Sequence, residues 1–495
     1  MSEQAFAFAE WTIGRFQDAM AAGELSSADL TTAYLERIEA LDAKGPELRS
    51  VIAVDPEAVG IAKALDEERR GGRVLGPLHG IPVLVKDNIE TSGGTSTTAG
   101  SLALADARPA RDATVVAKLR DAGAVILGKA NLSEWANFRS SRSSGGWSAV
   151  GGQCRNPYAL DRNPCGSSSG SGVAVSANLC VVAIGTETDG SILCPSTING
   201  IAGIKPTVGA VSRAGVVPIS HTQDTPGPMA RTLADAAVVL SAIAGLDRRD
   251  PATRALEGSL RPREDLRGVR IGVARNLAGF HPGVDALFED AIGALRDLGA
   301  EIRDPVDVPH ADELEDPELE VLLYEFKADL DAYLAEAPGA AVRSLQELIA
   351  FNVEHRAEEM HFFGQELFER AVEKGPLTEP AYLDALATCG RLSRDEGLEA
   401  AFTSGVDVLV APTGAPAWLT DHVNGDHYVG GNSSPAAVAG TPSVTAPMGA
   451  VSDLPVGISF LGRAWTDLEL VSIASAFERA TMHRREPTFP PTVPG

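Results

Sequence analysis

The chain has 495 residues, a formal net charge of −25, and 44% hydrophobic and 22% charged residues. So acidic a sequence lacks the basic stripe that phosphate binding requires, which excludes a nucleic-acid partner. No apolar run reaches membrane-spanning length, so no membrane partner is expected.

The opening segment MSEQAFAFAEWTIGRF has no basic n-region followed by a long apolar stretch, and so does not read as an export signal. Cytoplasm is the default compartment, although a mature periplasmic or secreted chain would read the same. Ser26 and Ser27 precede a helical pattern in which Leu30, Tyr34, Ile38 and Leu41 recur before Gly45 stops it. PVLVKDNI (82–89) reads as a short buried strand. Asp112 is expected to cap the helix ATVVAKLRDAG, and AVILGKAN follows as a strand, giving a helix–strand step of an α/β sheet. Further strands are expected at VRIGV (269–273), DVLVAPT (407–413), SVTAPMG (443–449) and PVGISFLG (455–462), with a closing helix over about 467–480. Residues from about 310 to 400 are acidic with helical periodicity, and read as a helical insertion covering one side of the sheet. No repeat or low-complexity linker divides the chain, so one large domain over 1–495 is expected, with its motif-rich core at about 78–215.

Five cysteines (154, 165, 180, 194 and 389) form an odd count without CxxC spacing, so neither a disulfide framework nor a zinc site is expected. The nine histidines are scattered, with no pair at ligand spacing. GAVILGKA (123–130) satisfies GxxxxGK, but its interior is a hydrophobic strand and Ala130 stands where a P-loop needs a hydroxyl. GSSSG (166–170) matches a nucleophile elbow with Ser168 as nucleophile. That elbow requires a strand leading into its first glycine, and RNPYALDRNPC reads as loop.

Three other segments carry more. CGSSSGSGVAV (165–175) crowds small hydroxyl residues against an apolar run. IGTETDGSILCPS (184–196) places Asp189, Gly190 and Ser191 after a buried strand, where successive backbone N–H groups can form an oxyanion nest. GIPVLVKDNI (80–89) puts Lys86 at the end of an apolar strand. A desolvated lysine there has a lowered pKa and can serve as a base, whereas the ordinary alternative is a lysine that snorkels to the surface.

In this order the three segments resemble the amidase signature family, and the spacing of its two serines is kept between Ser167 and Ser191. GKANLSEWANF (128–138), NGIAGIKPTVG (199–209), DTPGPMARTLADAA (224–237), AGTPSVTAPMG and LPVGISFLGR extend the likeness over most of the chain. The resemblance implies a central mixed, twisted β-sheet covered by helices. It implies a catalytic set of Lys86, Ser167 and Ser191, in which Ser167 follows a cis peptide bond to Gly166 and Ser191 is the nucleophile. It further implies an oxyanion hole at Thr188, Asp189, Gly190 and Ser191, substrate-binding roles for Asn137 and Ser168, and no metal or organic cofactor. CGSSSGSGVAVSANLC and the insertion segment IAFN…FGQELFE are similar to bacterial peptide amidases, which remove the terminal amide nitrogen of peptides. The implied partner is a small-molecule or short peptide amide, and the implied assembly a monomer or homodimer. Fatty-acid, aryl or small aliphatic amides, and a place as the amidase component of a tRNA-dependent amidotransferase, are the alternatives. Glu187, Asp189 and Leu193 stand where the wider family has Asp, Gly and Arg.

Overall fold

Thirteen strands occur among the residues described by the computed structural model, which are 6–256, 258 and 260–493. The first five residues of the opening segment thus lie outside the described residues. The strands are β1 (Val51–Val54), β2 (Pro82–Lys86), β3 (Val125–Ala130), β4 (Trp147–Ser148), β5 (Gly152–Gln153), β6 (Val182–Glu187) and β7 (Ala202–Lys205). They continue with β8 (Thr225–Ala230), β9 (Arg270–Val273), β10 (Glu301–Arg303), β11 (Val408–Pro412), β12 (Ser443–Val451) and β13 (Leu454–Leu461). β4 and β5 form a small ribbon. The other eleven make one mixed sheet in the order β1-β3-β2-β6-β8-β7-β12-β13-β11-β9-β10.

The parallel triplet β3-β2-β6 is buried at every residue, which is why its sequences are continuous apolar runs rather than alternating ones. Antiparallel β8 and β7 follow, so the sheet changes direction next to β6. Helices Leu233–Ile243, Pro282–Asp297 and Asp467–Thr481 contribute Leu240, Phe288 and Phe477 to the large core beside the sheet. The expected strands and closing helix are all present.

Two local expectations are corrected. The helix Thr114–Asp121 is capped at Ala113, not Asp112. The Asp112 carboxylate instead accepts from Ser92 N (2.7 Å) and Ser92 Oγ (2.9 Å) and pairs with Arg120 (3.1 Å). Only the last part of the insertion between β10 and β11 lies on the strands as expected, where Leu398, Ala401 and Phe402 pack with Leu409 and Ala411 of β11 and Leu461 of β13. Leu323, Phe326, Leu330 and Phe368 pack instead against Ala103, Leu104, Trp135, Phe138 and Val217, which belong to connecting segments above the sheet. Arg139, fully buried, ion-pairs with Glu134 and with Glu359 (3.4 Å), and Glu359 also accepts from Leu102 N (2.7 Å). A buried cation is tolerable only when paired in this way. The insertion is therefore fastened to the loops that surround the site.

Candidate active site

The site forms where the ends of β2 and β6 meet the segment that enters helix Ser169–Ser176. β2 delivers Lys86 into the interior, and its Nζ lies 2.7 Å from Ser167 Oγ, 2.8 Å from Thr186 Oγ1 and 3.3 Å from Thr186 O. The strand end is fixed by the next residue. Asp87 pairs with Lys129 of β3 (3.1 Å), and Lys129 Nζ also donates to Ile89 O (2.7 Å) and Thr97 Oγ1 (2.9 Å). The lysine of the GxxxxGK match thus holds the β2 terminus rather than a phosphate.

Ser167 follows a cis peptide bond from Gly166. Its carbonyl accepts from Ser133 N (3.1 Å), and Ser168 N donates to Ser191 O (3.1 Å), which ties the two serine segments together. Helix Ser169–Ser176 presses close behind: a Cβ on Gly170 would stand 2.2 Å from Ser50 O and 2.5 Å from Asn131 N, so only glycine fits there. Ser171 Oγ donates to Ile184 O (3.1 Å) on β6. The small residues of 165–175 therefore permit backbone contact with both neighbours.

After β6, Gly190 turns the chain at φ +76, a conformation that favours glycine. Glu187 Oε2 accepts from Ile192 N (2.6 Å) and Leu193 N (2.9 Å) and closes the turn around Ser191. Burial pushes the Glu187 carboxyl above its usual range, opposed mainly by the charge of Lys205. Among the described residues, none accepts a hydrogen bond from the N–H groups of Asp189, Gly190 or Ser191. Ser191 is 8% exposed whereas Lys86 and Ser167 are 0%, so of the three only Ser191 is reached from outside.

Burial lowers the Lys86 pKa to about 7, against the opposing charges of Asp224 and Glu187. An unprotonated amine is therefore accessible near neutrality, unlike an exposed lysine. Asp224 itself is raised by burial to about 6. It accepts from Thr188 Oγ1 (2.6 Å), Ile219 N (2.8 Å) and Ser220 N (3.0 Å), and so braces the strand leading to Ser191.

A cleft of about 580 Å³ opens beside this cluster, with Asn137, Asp189, Gly190, Trp418, Asp426 and Tyr428 in its wall. Asn137, at φ +73, lies at the end of a left-handed turn formed with Trp135 and Ala136. Ser168, expected to bind substrate, is not in the wall of this cleft. It is fully buried, and its hydroxyl donates to Thr186 O (3.0 Å) and accepts from Thr186 N (3.2 Å), so it braces β6. Cys165 and Cys194 form a disulfide in the cleft wall, against the expectation from the odd cysteine count. Cys154, Cys180 and Cys389 are free and buried. Sequence reasoning also missed Thr186, Asp224 and Asp426. Asp224 opens the segment DTPGPMARTLADAA, and Cys165 and Cys194 sit inside the two serine segments, which was the available signal.

The model of the Amidase family matches residues 29–471. This chain belongs to the amidase family. Among relatives of this amidase, a probable amidase of Arabidopsis thaliana is 41% identical, over 98% of this chain and 92% of its own length. A glutamyl-tRNA(Gln) amidotransferase subunit of Chloroflexus aurantiacus is 35% identical, over 96% and 98%. Among solved structures, the peptide amidase PAM bound to the competitive inhibitor chymostatin is 51% identical with a TM-score of 0.94, over 97% of this chain and 99% of PAM. Native peptide amidase from Stenotrophomonas maltophilia matches at 51% identity and a TM-score of 0.93, over 98% and 99%. This amidase is accordingly a hydrolase of amide C–N bonds on the amidase signature fold.

Proposed function

We propose that this amidase removes the C-terminal amide nitrogen of peptides through a Ser191–Ser167–Lys86 relay. The observation that carries the relay is the buried Lys86 amine, 2.7 Å from Ser167 Oγ with a pKa of about 7. Ser191 Oγ attacks the amide carbon, and its proton passes to Ser167 while that of Ser167 passes to neutral Lys86. The developing oxyanion is met by N–H groups of the Thr188–Ser191 turn. The proton returns through Ser167 to the nitrogen, the C–N bond breaks, and ammonia leaves an ester on Ser191. Water then adds to the ester carbon and gives a proton to the relay; the bond from that carbon to Ser191 Oγ breaks, the relay returns the proton to Oγ, and the carboxylic acid leaves. Every proton in the cycle is carried by these three side chains and the water.

The peptide preference rests on the likeness to peptide amidases and on the cleft. Asp189 and Asp426 line it, and no Lys or Arg does among the described residues. Such a wall tolerates a neutral terminal amide and repels a terminal carboxylate, which favours amide entry and acid release. The test offers one short peptide as its C-terminal amide and as its free acid, following ammonia and fragments by mass. Ammonia from the amide without internal fragments supports the reading. Internal cleavage, or turnover confined to fatty-acid amides, overturns it.

The likeness to a tRNA-dependent amidotransferase component favours one second reading, as part of a complex. Ammonia release by the purified chain alone, at a rate unchanged by candidate partner proteins, decides against it.

A further inference from the structure

The helix Glu315–Glu336 carries Glu318, Glu325 and Asp329 on one face, because steps of seven and four residues return to the same side of a helix. All three meet the loop that runs from Val217 to Asp224. Glu325, fully buried, takes most of it. Its Oε2 accepts from Ser220 Oγ (2.5 Å), Thr222 Oγ1 (3.0 Å) and Thr222 N (3.1 Å). Its Oε1 accepts from Tyr382 OH (2.7 Å) and lies 3.4 Å from His221 Nε2. His221 N donates to Asp329 Oδ2 (3.1 Å), and Gln223 Nε2 donates to Glu318 Oε1 (2.7 Å). Residues 220 to 223 are thus each held by the helix.

The opposite side of the same loop holds the site. Asp224 N donates to Ser220 O (2.9 Å), and Asp224 Oδ2 accepts from Ile219 N and Ser220 N, so the loop closes on itself as a turn. From that turn Asp224 Oδ1 accepts the Thr188 hydroxyl (2.6 Å), and Gln223 Nε2 lies 3.4 Å from Thr188 O. We infer that Glu325, acting through the loop 217–224, is a positioning residue for the segment Thr188–Ser191. It is not in the cleft wall, so it touches no substrate. Removing its carboxylate leaves the Ser220 and Tyr382 hydroxyls, and the Thr222 N–H and hydroxyl, without their acceptor. The loop then loses its hold at 220 and 222, Asp224 moves with it, and Thr188 is no longer fixed beside Ser191.

The inference rests on the reading of Ser191 as nucleophile, and its test separates the two. With one peptide amide, kcat and KM are measured for wild type, Glu325→Ala, Glu325→Gln, Thr188→Val and the double variant Glu325→Ala/Thr188→Val, beside Ser191→Ala. Glu325→Ala should lower kcat by about 10- to 100-fold with KM within about threefold, as misplacement of reacting groups does. Glu325→Gln keeps an oxygen for Ser220 and Thr222 and should stay within about threefold of wild type. Thr188→Val removes the hydroxyl on which the loop acts. In that background Glu325→Ala should cost less than about threefold more, the non-additivity of residues in one network. If Glu325→Ala does not fold, Ser220→Ala/Thr222→Val takes its place, since it removes both hydroxyl donors and leaves the helix intact. An unchanged kcat in whichever of these folds, a loss carried by KM, or losses that multiply in the double variant overturns the inference. An active Ser191→Ala overturns the nucleophile reading instead.

Discussion

Asp224 accepts the Thr188 hydroxyl at 2.6 Å and is also the foremost charge opposing the desolvation of Lys86. One carboxylate thus braces the segment leading to Ser191 and raises the pH at which Lys86 becomes neutral. The sign follows directly. A nearby anion favours protonated lysine, so removing it lowers the Lys86 pKa below its present value of about 7. Asp224→Asn should move the acid limb of kcat/KM to lower pH. A midpoint that stays fixed or moves upward counts against this linkage.

Lys86→Ala should lower kcat by about 10²–10⁴-fold or more, the range associated with a general base. Thr186 Oγ1 still accepts from Asn88 Nδ2 (3.0 Å) and the Ser167 carbonyl from Ser133 N (3.1 Å), so the protein should still unfold cooperatively in urea. A variant with near-native kcat would exclude Lys86 as the proton acceptor.

The disulfide gives a covalent prediction. Cys165 and Cys194 are 29 residues apart, and closing a loop of that length stabilises the fold by about 3.5 kcal/mol in the chain-entropy account. Thiol titration of the denatured, unreduced protein should count three free thiols, and reduction should lower the unfolding midpoint. Five titratable thiols would show that the bond is absent.

Legibility in the sequence followed the range of each contact. Lys86 was readable because an apolar strand ending in lysine is locally anomalous. Ser167 and Ser191 were singled out through the likeness of their segments to the amidase signature family, whose serine spacing the chain keeps. The contacts of Lys86 with Thr186 were not, since they depend on β2 lying beside β6, a hundred residues away. The same holds for Cys165 with Cys194, where counting cysteines carried no information about Cα atoms 6.0 Å apart. Helical periodicity located the insertion but not the face it covers. Phe326 and Phe368 look alike whether they bury strands or loops, and the deciding residue, Arg139, has its partner Glu359 in a distant segment.

That ion cluster predicts a stability effect remote from the chemistry. Arg139→Met leaves Glu134 and Glu359 buried without their cation, and breaking such a pair costs about 3–5 kcal/mol. Denaturant unfolding should show the loss, and Asn137, two residues away in the cleft wall, should follow with a raised KM. A change below about 1 kcal/mol would mean that the insertion is held mainly by its apolar face.

The proposed mechanism passes through an ester on Ser191, and this can be seen directly. Wild type is mixed with a slowly hydrolysed peptide amide or ester, quenched in acid within a turnover, digested and analysed by mass. The account predicts the acyl mass on the peptide containing Ser191, its absence in Ser191→Ala, and slower appearance in Lys86→Ala. An acyl group on Ser167 or Ser168, or turnover with no acyl-peptide at any quench time, would contradict it.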